Sequence, residues 1–206
     1  MLIGIVADIH DALEPLRKAL LLLRERGVER IVTLGDAFDS WRPGERGAEI
    51  ACLLQDADAI GVWGNHDFGL SHEVSGQIRD QADPVLLAFA SRLQPQLVVE
   101  GCRFSHIEPW KDPRRLEDLW FFDGVPETGE RAQRSFEAVP ERIIFVGHFH
   151  SRLVVRREGR LEWDGVRSIR LGQPHRHLVL VPAVVDGWCV TYETAQSELT
   201  AIWCFA

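Results

Sequence analysis

An α/β fold built on a parallel sheet is what this sequence predicts, and three observations carry the prediction. Short apolar runs alternate with stretches of helical periodicity from Leu2 to Trp63. Each run closes on a polar cluster, directly or through a glycine. Beyond His150 the pattern turns to strands favouring β-branched and aromatic residues.

Leu2 to Ala7, bounded by Asp8, reads as a buried strand. From Ala12 to Arg26, Leu13, Leu16, Leu20 and Leu23 recur at helical spacing, and Gly27 supplies the stop. Ile31 to Leu34 is a second strand closed by Gly35, Gly47 to Gln55 a helix, and Ala59 to Trp63 a third strand closed by Gly64. That rhythm belongs to a parallel sheet with right-handed crossovers, whose ligands gather outside the carboxyl ends of the strands. Asp83 to Leu93 predicts a helix, with Gln96 to Glu100 and Arg103 to His106 as two strands around a turn. Lys111 to Gly129 is rich in Pro, Asp, Trp and Phe and reads as a long loop, with a lid as one reading. Gly129 to Val139 is helical, and Ile143 to Val146 is a buried strand before Gly147. Strands follow at Arg152 to Arg156, Arg160 to Trp163, His177 to Val185, Trp188 to Glu193 and Glu198 to Phe205, with Asp186-Gly187 as a hairpin turn between two of them. No repeat, linker or low-complexity tract interrupts residues 1–206, so a single domain is expected.

Composition narrows the class. Hydrophobic residues make up 46% of the chain, enough for a sizeable core without staples. Cys52, Cys102, Cys189 and Cys204 form no C-x-x-C pair, which points away from disulfides and cysteine zinc sites and towards a reducing, cytoplasmic setting. The amino-terminal apolar run is too short for a signal peptide or a membrane span. A formal net charge of -8 argues against a surface made for long nucleic acids.

Four clusters carry the chemistry: D-I-H at Asp8 to His10, G-D-A-F-D at Gly35 to Asp39, G-N-H-D at Gly64 to Asp67, and G-H-F-H at Gly147 to His150. A lone His106 in S-H-I-E-P is a fifth. Singly, each has an ordinary reading as a helix cap or a turn. Gathered at one sheet edge, their carboxylates, amide and imidazoles would be costly without cations, and two divalent ions sharing one carboxylate would satisfy them. The mixed oxygen and nitrogen set suits Mn, Fe, Zn, Co or Ni.

In kind and in order, these clusters resemble those of the calcineurin-like metallophosphoesterases: D-x-H, G-D, G-N-H-D/E, a lone His, then G-H-x-H. The resemblance implies a four-layer α/β/β/α sandwich of two mixed β-sheets with metals at the strand ends between them. It implies that Asp8, His10 and His150 hold one ion, that Asn65, His106 and His148 hold the other, and that Asp36 bridges them, with Mn first among the metals. A metal-activated hydroxide would attack phosphorus in line, both ions offsetting the charge that builds on its oxygens. His66 would bind phosphate and protonate the leaving oxygen, oriented by Asp39 or, alternatively, Asp67. L-G-Q-P-H-R-H, from Leu171 to His177, is similar to the G-S-V-G-Q-P-R segment of small bacterial members acting on nucleotides and other small phosphoesters. It would bring Gln173, His175 and Arg176 to the substrate alongside Asn65, an ordinary turn being the competing reading.

Departures from the family pattern refine the expectation. Protein phosphatases of the family carry D-R-G after the second motif, whereas Ser40 and Trp41 follow Asp39 here, with Arg42 as a possible substitute. His106 lies in S-H-I-E-P where relatives often show H-G-x-P. The expected activity is hydrolysis of a small phosphomonoester, phosphodiester or dinucleoside polyphosphate. A protein phosphatase, a nuclease or a non-catalytic metal-binding scaffold are the alternatives, and the presence of His66 favours catalysis over the last. The expected partner is a small phosphorylated substrate, nucleotides included, with no membrane and no stable nucleic-acid complex. Trp110, Trp120, Phe121 and Phe122 either stack on a base or pin their loop to the core.

Overall fold

A computed structural model describes residues 1–39, 41–42 and 45–205, so Ser40 lies outside the described residues. In chain order, β1 (Leu2–Val6) leads through α1 (Leu13–Glu25) to β2 (Arg30–Leu34), and α2 (Gly47–Asp56) leads to β3 (Ile60–Val62). Three short helices follow, α3 (Phe68–Ser71), α4 (Gly76–Gln81) and α5 (Pro84–Ala90). Next come β4 (Gln96–Val99), β5 (Cys102–Ser105), α6 (Leu116–Leu119), α7 (Gly129–Ala138) and β6 (Ile143–Val146). After them run β7 (Leu153–Arg156), β8 (Gly159–Leu161), β9 (Ile169–Arg170), β10 (His177–Leu180), β11 (Trp188–Glu193) and β12 (Glu198–Trp203).

These strands form two mixed six-stranded sheets, ordered β3-β2-β1-β11-β12-β9 and β4-β5-β6-β10-β7-β8. In the first, β1, β2 and β3 are parallel; in the second, β5, β6 and β10 are parallel. The strands alternate apolar residues between two buried faces, so β6 reads as a continuous apolar run rather than a half-polar one. Ile3, Ile5, Val32 and Leu34 of the first sheet meet Phe104, Ile143, Phe145 and Val179 of the second in the layer between them. On the outer face of the first sheet, Leu16 and Leu23 of α1, Ile50 and Leu54 of α2, and Phe89 of α5 complete a second core. Outside the second sheet, Ala132 and Phe136 of α7 cover Ile144, Val146 and Leu178. The result is the α/β/β/α layering expected. None of the described helices is long and apolar enough to cross a membrane.

Asp186-Gly187 corrects the hairpin expectation. β10 stops at Leu180 in the second sheet, and β11 begins at Trp188 in the first. Pro182 offers no N–H to extend the β10 ladder. The intervening chain instead crosses between sheets and turns through bonds from Gly187 N to Val184 O (2.8 Å) and from Trp188 N to Ala183 O (3.1 Å). Elements α3, α4, α6 and β9 have no counterpart in the sequence reading; each spans six residues or fewer.

The long loop between Lys111 and Gly129 is fastened from beneath. Glu108 is fully buried, and Arg131 of α7 grips its carboxylate with Nε at 3.0 Å and Nη2 at 2.7 Å. Lys111 Nζ lies 3.8 Å from the same carboxylate and donates to the Phe121 carbonyl at 3.2 Å. Arg131 also reaches Asp123 Oδ1 at 2.6 Å. Arg131→Met would leave Glu108 buried with a single distant cation, an arrangement that costs about 3–5 kcal/mol. Urea unfolding monitored by circular dichroism is expected to show a loss of that size; a loss below about 1 kcal/mol, the range of exposed pairs, would mean that this cluster does not hold the loop.

Candidate metal centre

Parallel strands within each sheet bring five loops to one edge. Asp8 and His10 follow β1, Asp36 and Asp39 follow β2, Asn65 and His66 follow β3, His106 follows β5, and His148 and His150 follow β6. The backbone bends sharply to aim them. Asp8, His10, Asp36, His148 and His150 all have positive φ, between 47° and 67°, a region uncommon for non-glycine residues. Ladder-like bonds hold these turns together: Asp8 N to Gly35 O (3.1 Å), Ile9 N to Asp36 O (2.8 Å) and Val185 N to Asp8 O (3.2 Å). Gly64 is required by proximity, since a Cβ there would overlap Asp36 Oδ1.

The seven predicted ligands resolve into two groups, and His10 also belongs to a third set of possible donors with Asp39 and His66. Atoms of Asp8, His10 and His150 lie within 4.8 Å of one another, as do those of Asp36, His106 and His148. Asn65 Oδ1 joins the second group, 2.9 Å from His106 Nε2 and 3.1 Å from His148 Nδ1. Asp36 Oδ2 stands between the groups, 3.4 Å from His106 Nε2 and 3.9 Å from His10 Nε2. All seven predicted ligands thus converge.

Their tautomers favour a cation. His106 Nδ1 lies 2.7 Å from the Leu34 carbonyl, which only accepts, so Nδ1 carries the proton. In the neutral ring the lone pair on Nε2 then faces two further acceptors, the oxygens of Asn65 and Asp36, and the ring takes up a proton or a cation there. His10 repeats the pattern: Nδ1 is 2.8 Å from Asp39 Oδ1, while Nε2 faces His150 Nε2 at 3.3 Å. His150 Nδ1 points at Asp186 Oδ2, 3.4 Å away. Lone pairs directed at lone pairs repel until a proton or a metal ion lies between them, and outer carboxylates or carbonyls on the far ring nitrogen are the usual support of metal-ligating histidines. The residues fit divalent cations. Asp186 went unnoticed in the sequence because its D-G signal reads as a turn.

His66 and Asp39 adjoin the first group. One oxygen, Asp39 Oδ1, lies 2.8 Å from both His66 Nδ1 and His10 Nδ1. Asp67, the other acid considered for orienting His66, is spent elsewhere. It is fully buried, accepting from Ala37 N (3.0 Å) and Phe38 N (3.1 Å) on one oxygen and from Gly64 N (3.0 Å) on the other. It ties the β2 and β3 loops together. Gln173, His175 and Arg176 are not brought to the centre. Arg176 instead binds the carbonyls of Phe136, Val139 and Glu141, where α7 ends and needs acceptors satisfied, and His175 faces Glu158 at 3.5 Å.

Burial pushes the Asp8 carboxyl up to about 7, with His106 opposing and Asp36 adding to the rise. Burial and then the Asp36 charge also push Asp67 up to about 7. Burial pulls His106 down, but neighbouring Asp36 and Asp8 outweigh it and hold the ring at about 9. Burial, then the His106 charge, pull His148 down to about 3.

The signs combine simply above neutrality. A buried acid raised from 3.8 to about 7 removes stability as pH climbs through that interval. The His106 contribution is fully present below 6.5 and lost as pH climbs through 9. His148 acts oppositely, but only between 3 and 6.5. The Tm of the chelator-treated protein should therefore fall from pH 6.5 to 9. Metal ions displace these protons, so the Tm gain from added Mn²⁺ should widen over the same range. A gain independent of pH would mean that Mn²⁺ binds elsewhere. Asp186→Ala is expected to weaken Mn²⁺ binding about 10- to 100-fold in a competition titration with a chelating dye. Unchanged affinity would remove Asp186 from the site.

Residues 1–184 match the calcineurin-like phosphoesterase superfamily domain. An uncharacterised protein of Methanocaldococcus jannaschii is 27% identical over 178 residues, 78% of this chain and 67% of that protein. Among solved structures, a metallophosphoesterase from Sphaerobacter thermophilus superposes with a TM-score of 0.73 at 21% identity, over 98% of this chain and 86% of its own. A novel archaeal phosphodiesterase superposes with a TM-score of 0.56 at 14% identity, over 98% and 99% of the two chains. These two structures share the two-sheet architecture, and the domain match runs through every cluster from Asp8 to His150: the chain belongs to the calcineurin-like phosphoesterase superfamily.

Proposed function

We propose that this protein is a metal-dependent phosphoesterase that hydrolyses a small phosphoester at a dinuclear centre. One ion is held by Asp8, His10 and His150, the other by Asn65, His106 and His148, and Asp36 is shared. The observation carrying this reading is the pair of imidazole lone-pair sets aimed at two neighbouring points, with Asp36 Oδ2 between them. Divalent ions bound there supply positive charge for the phosphate oxygens and make water a competent nucleophile at neutral pH.

The chain's own groups do the rest. The Asp36 carboxylate is fixed by His66 N, which donates to Oδ1 at 2.9 Å and leaves Oδ2 for the shared role. His148 N donates to both Asp8 oxygens at 3.1 Å, setting the plane of that carboxylate. Asp39 accepts from His66 Nδ1, leaving Nε2 to meet the departing oxygen and give it a proton. A net charge of -8 supports small substrates over long polyanions, and the phosphodiesterase activity named for one structural neighbour supports including diesters.

Hydrolysis of p-nitrophenyl phosphate, bis-p-nitrophenyl phosphate and a dinucleoside tetraphosphate, with Mn²⁺ or with EDTA, tests the reading. Turnover that requires the metal is expected, and the preferred ester identifies monoesterase, diesterase or nucleotide hydrolase. No turnover with any of several metals, despite two bound ions, would make the protein a binding scaffold. Asp36→Ala should strip both ions in elemental analysis; two retained ions would end the bridging assignment. His66→Ala should keep the ions and lose about 10²- to 10⁴-fold in turnover of an alkyl phosphate, and a wild-type rate there would exclude it as the acid.

A further inference from the structure

The segment after α6 presents its aromatic side chains to the metal centre. Trp120 is 54% exposed and Phe122 61%, high values for rings of this size. Both stand against site residues. The Trp120 ring centroid is 5.2 Å from His66, and that of Phe122 is 6.2 Å from His148 and 6.0 Å from Phe149 of the G-H-F-H loop. His66 borders the first donor group and His148 belongs to the second, so the two rings flank both halves of the centre.

Phe121, between them, is engaged differently. Lys111 Nζ sits 4.1 Å above its ring and also binds its carbonyl. With Arg131 holding Asp123, the buried Glu108 cluster anchors this segment at two points. The rings are therefore mounted on a braced support, which lowers the cost of ordering them around a ligand.

We propose that Trp120 and Phe122 form a stacking platform for the base of a nucleoside phosphoester whose phosphate lies at the metal centre. The inference rests on the phosphoesterase reading and adds a substrate class to it. A group joined to that phosphate is within reach of these rings, because they abut His66 and His148. Two open rings reward a flat aromatic partner most, and stacking on a base contributes about 1–3 kcal/mol. The acidic chain disfavours a long polynucleotide, which leaves a mononucleotide ester or a short dinucleoside.

A pair of chromogenic diesters with one leaving group isolates the platform. The p-nitrophenyl ester of thymidine 5′-monophosphate carries a base, and methyl p-nitrophenyl phosphate does not. In the Mn²⁺-loaded Trp120→Leu/Phe122→Leu protein, the ratio of kcat/KM for the thymidine ester over the methyl ester is expected to fall about 10- to 100-fold. Trp120→Phe/Phe122→Tyr, which keeps two rings, should recover most of it. An unchanged ratio in the Leu variant, or a ratio that the aromatic variant does not recover, would overturn the platform. If the wild type hydrolyses neither ester, the diesterase form of the phosphoesterase reading fails by itself, and adenosine then decides the platform. Saturation-transfer NMR should show protein contact at the base protons that disappears in the Leu variant, and contact that persists, or is absent from the wild type, would overturn it.

Discussion

Everything at the functional edge depends on an electrostatic conflict. Asp8 and Asp36 are carboxylates almost wholly removed from water, and the imidazoles of His10 and His106 turn their lone pairs towards acceptors. Within the chain only added protons relieve this, as on His106, because the opposite face of each ring is already committed, to Asp39 in one case and to a main-chain carbonyl in the other. A positive charge at two neighbouring points removes it at once. The strained backbone follows from the same need, since positive φ at five of these residues is the geometric means of turning short side chains inwards.

The fold was legible in the chain wherever packing repeated itself. The strands at Leu2, Ile31 and Ile143 are buried on both faces, so their apolar runs had no competing interpretation. α1 showed its periodicity because one face packs and the other meets solvent. Short elements escaped for the opposite reason: α3, with four residues, has less than two turns in which to express a period, and β9 pairs through two residues only. The Asp186-Gly187 turn was visible but its connection was not. Local turn chemistry does not say in which sheet the next strand will pair, and here Pro182 ends one ladder before the turn begins another.

At the site, residues that act through their own atoms were legible, and those that act by position were not. Asp39, His66 and the convergent histidines stand in compact motifs. Asp67 belongs to one of those motifs, yet its carboxylate serves three backbone amides, while Asp39 is the acid beside His66 Nδ1. Arg176 stands out through the resemblance of its segment to G-S-V-G-Q-P-R, but its guanidinium closes the end of a helix. Glu108, Lys111 and Arg131 attracted no notice, being single charges in dissimilar contexts. Only tertiary structure assembles them into the brace under the aromatic segment.

The two donor groups have a shared property that concerns how the molecule is assembled. Asp8 and His10 come from the first sheet and His150 from the second; Asp36 comes from the first, His106 and His148 from the second. Each group is completed only across the interface between sheets, by residues more than a hundred positions apart in one case and seventy in the other. In an unfolded chain neither set exists, so a cation held there would tie the two sheets together and favour the native state by mass action. The sheets must pack against each other before either donor set is complete, so an ion held by a full set would bind only the assembled pair of sheets.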